Sequence, residues 1–267
     1  MEKLQVRKKI LIIKLSALGD VLRTTPVLRV LNGEITWIAK KEAFPLLKTN
    51  LITGLIDMEN KNQLEKIKKE KFDLVLSLDE DFRAAKTASK IKTKKLIGVY
   101  LKNGRQDYTD DSKSWFDMSL ISKYGIKKAN ELKRFNRLSY QEHLFNMFGR
   151  KFKGEEYVLS IKPKKINSTV VGIEKRVGEK WPAKQWSYYD QLIKKLKNQN
   201  FPHQNKFGAG QAKFKVKVLR QRKNLTDYIE DINNCSTIVC GDTLAMHLGI
   251  ALKKKVVALF TCTSPQE

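Results

Sequence analysis

Apolar positions along this chain fall in short runs, each followed by a longer stretch with helical spacing. The run "ILIIKL" (10–15) leads into a pattern that continues to Leu31. "ITWIA" (35–39) precedes "KKEAFPLL", where Pro45 must sit near a helix start. "FDLVLSL" (72–78) precedes "DFRAAKTASKI", and "KLIGVYL" follows as the next strand. "SYQEHLFNMFG" (139–149) reads as a helix capped by Ser139 and stopped by Gly149. The alternation then restarts. "STVVGI" precedes "KQWSYYDQLIKKLK", "FKVKVL" precedes "NLTDYIEDINN", "STIVCGD" meets "TLAMHLGIALK", and "KVVALFT" follows.

Short, nearly continuous runs of Val, Ile and Leu indicate parallel strands buried on both faces by intervening helices. Two such series flank a polar stretch around 150–167. They predict an α/β protein with two doubly wound parallel-sheet domains, residues 1–160 and 161–267. Ligands of such sheets bind beyond the carboxyl ends of the strands. The segments 16–20, 174–182 and 241–247 are therefore the places to look for chemistry. In the first, "SALGD" is expected to form a tight turn that presents Asp20.

A hydrophobic content of 41% over 267 residues suits folded domains. No run approaches the roughly 20 apolar residues of a transmembrane helix. The N-terminal "MEKLQVRKKILIIKL" has a basic start, but Lys14 interrupts its apolar run and no small-residue cleavage site follows. It reads as a first strand, and a cytoplasmic location is expected. Cys235, Cys240 and Cys262 lack the paired spacing of a zinc site or disulfide framework and read as small buried hydrophobes. The net charge of +25 is spread over both halves and favours polyanions: phosphorylated substrates, an anionic membrane surface or nucleic acid. No helix-turn-helix, zinc-finger or RNA-binding signature accompanies it, so a nucleic-acid partner is not expected.

Three stretches carry a resemblance: "KLSALGDVLRTTPVLRVL", "GEKWPAKQW" (178–186) and "GDTLAMHLGIALKKKVVALFTCTSP" (241–265), with "FDLVLSLDEDFRAAKTASK" as a weaker fourth. In order and separation they resemble glycosyltransferase family 9, the bacterial heptosyltransferases of the lipopolysaccharide inner core. The resemblance implies a GT-B fold, with two Rossmann-like domains facing a cleft. The first would bind the acceptor and the second, short at its C-terminus, the nucleotide sugar. It also implies inverting transfer of a heptose from an ADP-activated donor to a phosphorylated, lipid-linked saccharide at the inner face of the cell membrane. No metal or other cofactor is implied.

Inverting transfer needs a base for the acceptor hydroxyl proton, and a carboxylate within reach can serve. The resemblance gives this role to Asp20 and places Lys14 and Ser16 at polar, acceptor-side positions of the same loop. A turn or helix-cap aspartate explains Asp20 from local sequence alone. Charge developing on the leaving diphosphate must be absorbed by cations, N–H groups and a helix start. "GDTLAMH" supplies such a start: Thr243 matches a phosphate-contacting threonine, Asp242 a sugar-contacting acid, and His247 a histidine one turn on. Lys180 is the nearest match to a diphosphate-binding lysine, although the spacing can place Glu179 there, and Lys175 or Arg176 could substitute. Arg83 matches a basic, acceptor-side position. The acids of "DED" (79–81) resemble a metal-binding pair of another transferase class, but their setting after a first-domain strand argues against it. Two departures are expected to matter. Leu244 stands where the family commonly has glycine, and the basic "FPHQNKFGAGQAKFKVKVL" replaces its donor-base region. A binding homologue without catalytic activity is the alternative reading.

Overall fold

The structure, a computed structural model, describes residues 7–15, 17–167, 169–179, 181–198 and 215–264. The chain divides into two compact units, which meet between Ser160 and Ile161.

The first unit begins with strand β1 (Lys9–Ile13), helix α1 (Leu18–Thr24), strand β2 (Glu34–Ala39), helix α2 (Phe44–Leu47) and strand β3 (Gly54–Asp57). Helix α3 (Lys61–Ile67), strand β4 (Lys71–Ser77), helix α4 (Phe82–Ala88), strand β5 (Lys92–Lys102) and strand β6 (Arg105–Tyr108) follow. Helices α5 (Lys113–Phe116), α6 (Gly125–Phe135) and α7 (Tyr140–Asn146) complete it. The sheet order is β3-β2-β1-β4-β5-β6, parallel except for the β5–β6 hairpin. Every residue of β1 after Lys9 is buried, as a central strand covered on both faces requires. One face packs Leu11, Ile13, Ile38, Phe72 and Val75 against Ile67, Ala84 and Ala88. Gly98 fits the β4–β5 contact because its φ is +107° and a Cβ would lie 1.9 Å from the Ser77 carbonyl oxygen.

Helix α1 is short because Pro26 cannot donate the bond that would extend it, and the chain tightens into a 3-10 turn over Thr25–Arg29. Helix α7 starts at a capping box. Ser139 accepts from Glu142 N–H, and the Glu142 carboxylate accepts from Ser139 N–H.

The second unit contains strand β7 (Val170–Glu174), helix α8 (Tyr189–Asn198), strand β8 (Lys215–Val218), helix α9 (Leu225–Asn233), strand β9 (Thr237–Gly241), helix α10 (Leu244–Ala251) and strand β10 (Lys255–Leu259). Its parallel sheet runs β10-β9-β7-β8. Val171, Ile173 and Val239 pack against Tyr189 and Ile193 of α8. Among the described residues, no helix is long and apolar enough to cross a membrane. Cys235 and Cys240 are buried as expected, and burial pushes the Cys240 thiol up to about 12. Cys262 is instead exposed, because it lies in the irregular segment beyond β10.

Candidate active site

Both sheets reverse strand order at a single point, the usual location of a ligand crevice in open α/β sheets. In the first unit the reversal falls between β1 and β4. Lys14 and Leu15 follow β1, and Asp79 follows β4. The Lys14 ammonium lies 3.5 Å from Asp79 Oδ2, with both side chains nearly inaccessible. The same oxygen accepts from Leu15 N–H at 2.9 Å, and Oδ1 accepts from Asp81 N–H at 3.0 Å. Burial alone would lower the Lys14 pKa, but Asp79, Tyr140 and Asp20 together outweigh it and raise it. The strand ends are thus tied by a buried, charged pair.

Asp20 sits in the first turn of α1, where an acid is favoured by the helix dipole. The expected tight turn at Gly19-Asp20 does not form. Both residues are helical, because α1 already begins at Leu18. The Asp20 side chain is 36% exposed, so a substrate can reach it. Arg23, one turn on, has Nε 3.0 Å from Asp20 Oδ1, an ion-pair contact without hydrogen-bond alignment. Its guanidinium stacks 4.3 Å from the Tyr140 ring centroid and 5.8 Å from that of Trp115. Tyr140 is fixed in turn by a 2.8 Å hydrogen bond between its hydroxyl and Thr24 Oγ1. The Asp20 carboxylate is thus held beside a stacked guanidinium, within the electrostatic reach of the buried Lys14 ammonium.

In the second unit the reversal falls between β7 and β9. At the end of β7 the buried Glu174 accepts from Arg176 Nε at 2.8 Å and Nη2 at 2.5 Å, and from the Tyr228 hydroxyl at 2.6 Å. At the end of β9, Asp242 Oδ2 accepts from Lys184 Nζ at 2.6 Å. Burial would raise the Asp242 pKa, but Lys184 overrides it and holds the carboxyl below the usual range. Thr243 caps α10 by backbone conformation, yet its side chain makes no cap bond. Among the described residues, its buried Oγ1 has no hydrogen-bond partner. A buried hydroxyl left unpaired beside the orphan N–H groups of a helix start suits an incoming anion.

The residues singled out by sequence fall into three groups. Lys14 and Asp20 lie together at the first reversal point, with Asp79, Arg23 and Tyr140 as additions. Asp242 and Thr243 lie at the second, with His247 buried in α10. Arg83 stands apart as a partner of Asp81 and of Glu59, the latter at 2.8 Å. Ser16 and Lys180, and most of the "FPHQNKFGAGQAKFKVKVL" segment, lie outside the described residues. Of the substitutes for Lys180, Lys175 pairs with Asp190 at 2.9 Å and Arg176 is bound to Glu174; Glu179, which the spacing can place at the lysine's position, is exposed. Lys184 was not distinguishable by pattern, since only the fold brings it to Asp242. The "DED" acids are engaged: Asp79 with Lys14, Asp81 as the cap of α4, and Glu80 as acceptor from Leu120 N–H. Leu244 occupies the first helical position of α10.

Comparison with known proteins adds a family and a set of folds. The model of glycosyltransferase family 9 (heptosyltransferase) matches residues 62–267. No curated protein sequence matches the chain. Among solved structures, a family 9 glycosyl transferase from Veillonella parvula is 17% identical, with 95% of this chain and 80% of that one covered at a TM-score of 0.61. Heptosyltransferase WaaC of E. coli, solved with ADP-2-deoxy-2-fluoro heptose, is 18% identical, with 96% and 90% covered and a TM-score of 0.61. The ADP-heptose LPS heptosyltransferase II of E. coli is 18% identical, with 97% and 86% covered and a TM-score of 0.54. At these identities the likeness is one of fold, the GT-B-like α/β architecture.

Proposed function

Since the chain belongs to glycosyltransferase family 9 and is a glycosyltransferase, we propose that it transfers a heptose from ADP-heptose, with inversion, to a phosphorylated, lipid-linked saccharide of the lipopolysaccharide-core type. Asp20 accepts the proton of the acceptor hydroxyl as that oxygen bonds to the anomeric carbon. The bond from that carbon to the phosphate oxygen breaks, and its electron pair leaves with the nucleoside diphosphate. Attack opposite the leaving group inverts the configuration.

The second unit holds the donor. The N–H groups at the start of α10 and the Thr243 hydroxyl bind the diphosphate, Asp242 contacts the sugar, and His247 supports the same helix. Lys180 and Lys184 supply positive charge, so that the growing charge of the leaving group is met without a metal. In this reading Lys14, Ser16 and Arg83 serve the acceptor, Lys14 through its pair with Asp79. The +25 charge suits phosphorylated substrates and retention at an anionic inner leaflet on the cytoplasmic side.

The observation that carries this reading is the Thr243 hydroxyl at the N-terminus of α10, buried and without a hydrogen-bond partner among the described residues. Leu244 at the first helical position of α10, where the family commonly has glycine, favours a second reading, a carbohydrate- or nucleotide-binding protein that no longer turns over. A donor screen separates the two. The protein is incubated with several nucleotide sugars, with and without a phosphorylated lipid-linked saccharide, and nucleotide release is followed. Acceptor-dependent release of ADP from ADP-heptose is expected. Binding of ADP-heptose without release under any condition would establish the second reading.

A further inference from the structure

Helix α6 is held to its unit by very little. Over Gly125–Phe135 only Ala129 is buried, and the helix begins without a side-chain cap. Eleven residues are too few for a helix to be stable alone in water. The residues around it carry apolar surface that nothing in the unit covers. Of the twelve large hydrophobic side chains exposed among the described residues, five fall here: Leu120, Tyr124, Ile126, Phe135 and Leu138. Phe135 is 73% exposed at the last helical position. A concentration of this kind marks an interaction surface.

Charge identifies the occupant. Residues 120–138 contain six cations and one acid, Glu131, which is already paired with Lys128 at 2.9 Å. Lys127 and Arg134 lie seven residues apart, on one side of the helix, and both are exposed. Ala129 and the half-buried Leu132 define the opposite, inward side. Cations facing outward, with aromatic and aliphatic side chains beside them, match the anionic headgroups and upper acyl region of a bilayer.

We propose that α6 and its flanking residues form the surface by which the first unit rests on an anionic lipid bilayer. The proposal gives a location to the membrane retention in the functional reading, but the contact itself requires neither donor nor acceptor.

Co-sedimentation with vesicles tests it. Wild type, the Lys127→Glu/Arg134→Glu pair, Phe135→Ser, and a Lys194→Glu/Lys195→Glu control on exposed positions of α8 are compared. Vesicles are phosphatidylcholine alone or mixed with phosphatidylglycerol, at low and physiological salt, without nucleotide sugar. Thermal melts check that each variant is folded. Binding to anionic vesicles should fall at least tenfold in the α6 pair and severalfold in Phe135→Ser, while the control loses less than half as much as the α6 pair, counted as log affinity. An equal loss in the control would make the binding a property of total charge and overturn the proposal. So would equal binding to neutral vesicles, no vesicle binding by wild type, or α6-dependent binding to duplex DNA with none to vesicles.

Discussion

Replacing Asp79 by alanine tests whether the first strand-end loop is held by a buried charge. The Asp79 carboxylate faces the Lys14 ammonium at 3.5 Å and accepts from the N–H groups of Leu15 and Asp81 at 2.9 and 3.0 Å. The alanine variant would leave an ammonium out of solvent without its partner and remove the acceptor of a buried N–H. Removing one member of a buried pair costs about 3–5 kcal/mol. Lys14→Met should cost less, about 1–3 kcal/mol, because Asp79 keeps both backbone donors. Combining Lys14→Met with Asp79→Asn should recover much of the loss, since the amide oxygen can still accept from Leu15. Urea unfolding at neutral pH, extrapolated linearly, gives the three values. A cost below about 1 kcal/mol for Asp79→Ala would mean that the pair is solvated and the reasoning fails.

Three further outcomes follow from the same geometry. Because the folded-state pKa of Lys14 is raised above 10.5, its stabilisation is complete below that pH and is lost as pH rises through the higher folded value. The stability gap between wild type and Lys14→Met should therefore be constant up to about pH 10 and shrink above 10.5, as read from denaturant midpoints. Arg23→Met removes a guanidinium stacked on Tyr140 and in contact with Asp20. It should cost about 1 kcal/mol of stability, yet lower kcat by about tenfold or more with little change in donor KM. A fall in melting temperature with unchanged kcat would leave Arg23 a packing residue. Thr243→Val should weaken donor binding about fivefold to tenfold while leaving stability unchanged or slightly higher, since the hydroxyl it removes is unpaired. Unchanged calorimetric affinity for ADP-heptose would remove Thr243 from the donor site.

The doubly wound architecture was legible because central parallel strands leave a plain mark: β1, β4 and β9 are near-continuous apolar runs, each followed by a helix. Strands β3 and β6 escaped notice because they are four residues each, at or near sheet edges, and carry charged or small residues. Helix α6 left no core signature, since a single alanine is buried in it. The Gly-Asp dipeptide suggested a turn, but an acid also suits the first turn of a helix, and there the dipole and the packing of Val21 and Leu22 prevail. Asp79 looked like part of an acidic cluster because its partners, Lys14 and Leu15, are more than sixty residues away in sequence. The same distance problem hid Lys184, which reaches Asp242 across 58 positions. Strand ends could be read from local pattern, whereas the pairs formed across them depend on sheet order.

The most direct test of the account is the turnover of Asp20→Asn with ADP-heptose and a phosphorylated lipid-linked acceptor. The amide keeps nearly the size of the carboxylate and can remain in the first turn of α1, but it cannot accept the acceptor's proton. Turnover should fall by roughly 10² to 10⁴, the scale of general-base catalysis, while donor affinity stays within error of wild type and the melting temperature falls only slightly with the lost helix-dipole and Arg23 contacts. An Asp20→Asn protein that turns over at the wild-type rate would contradict the mechanism.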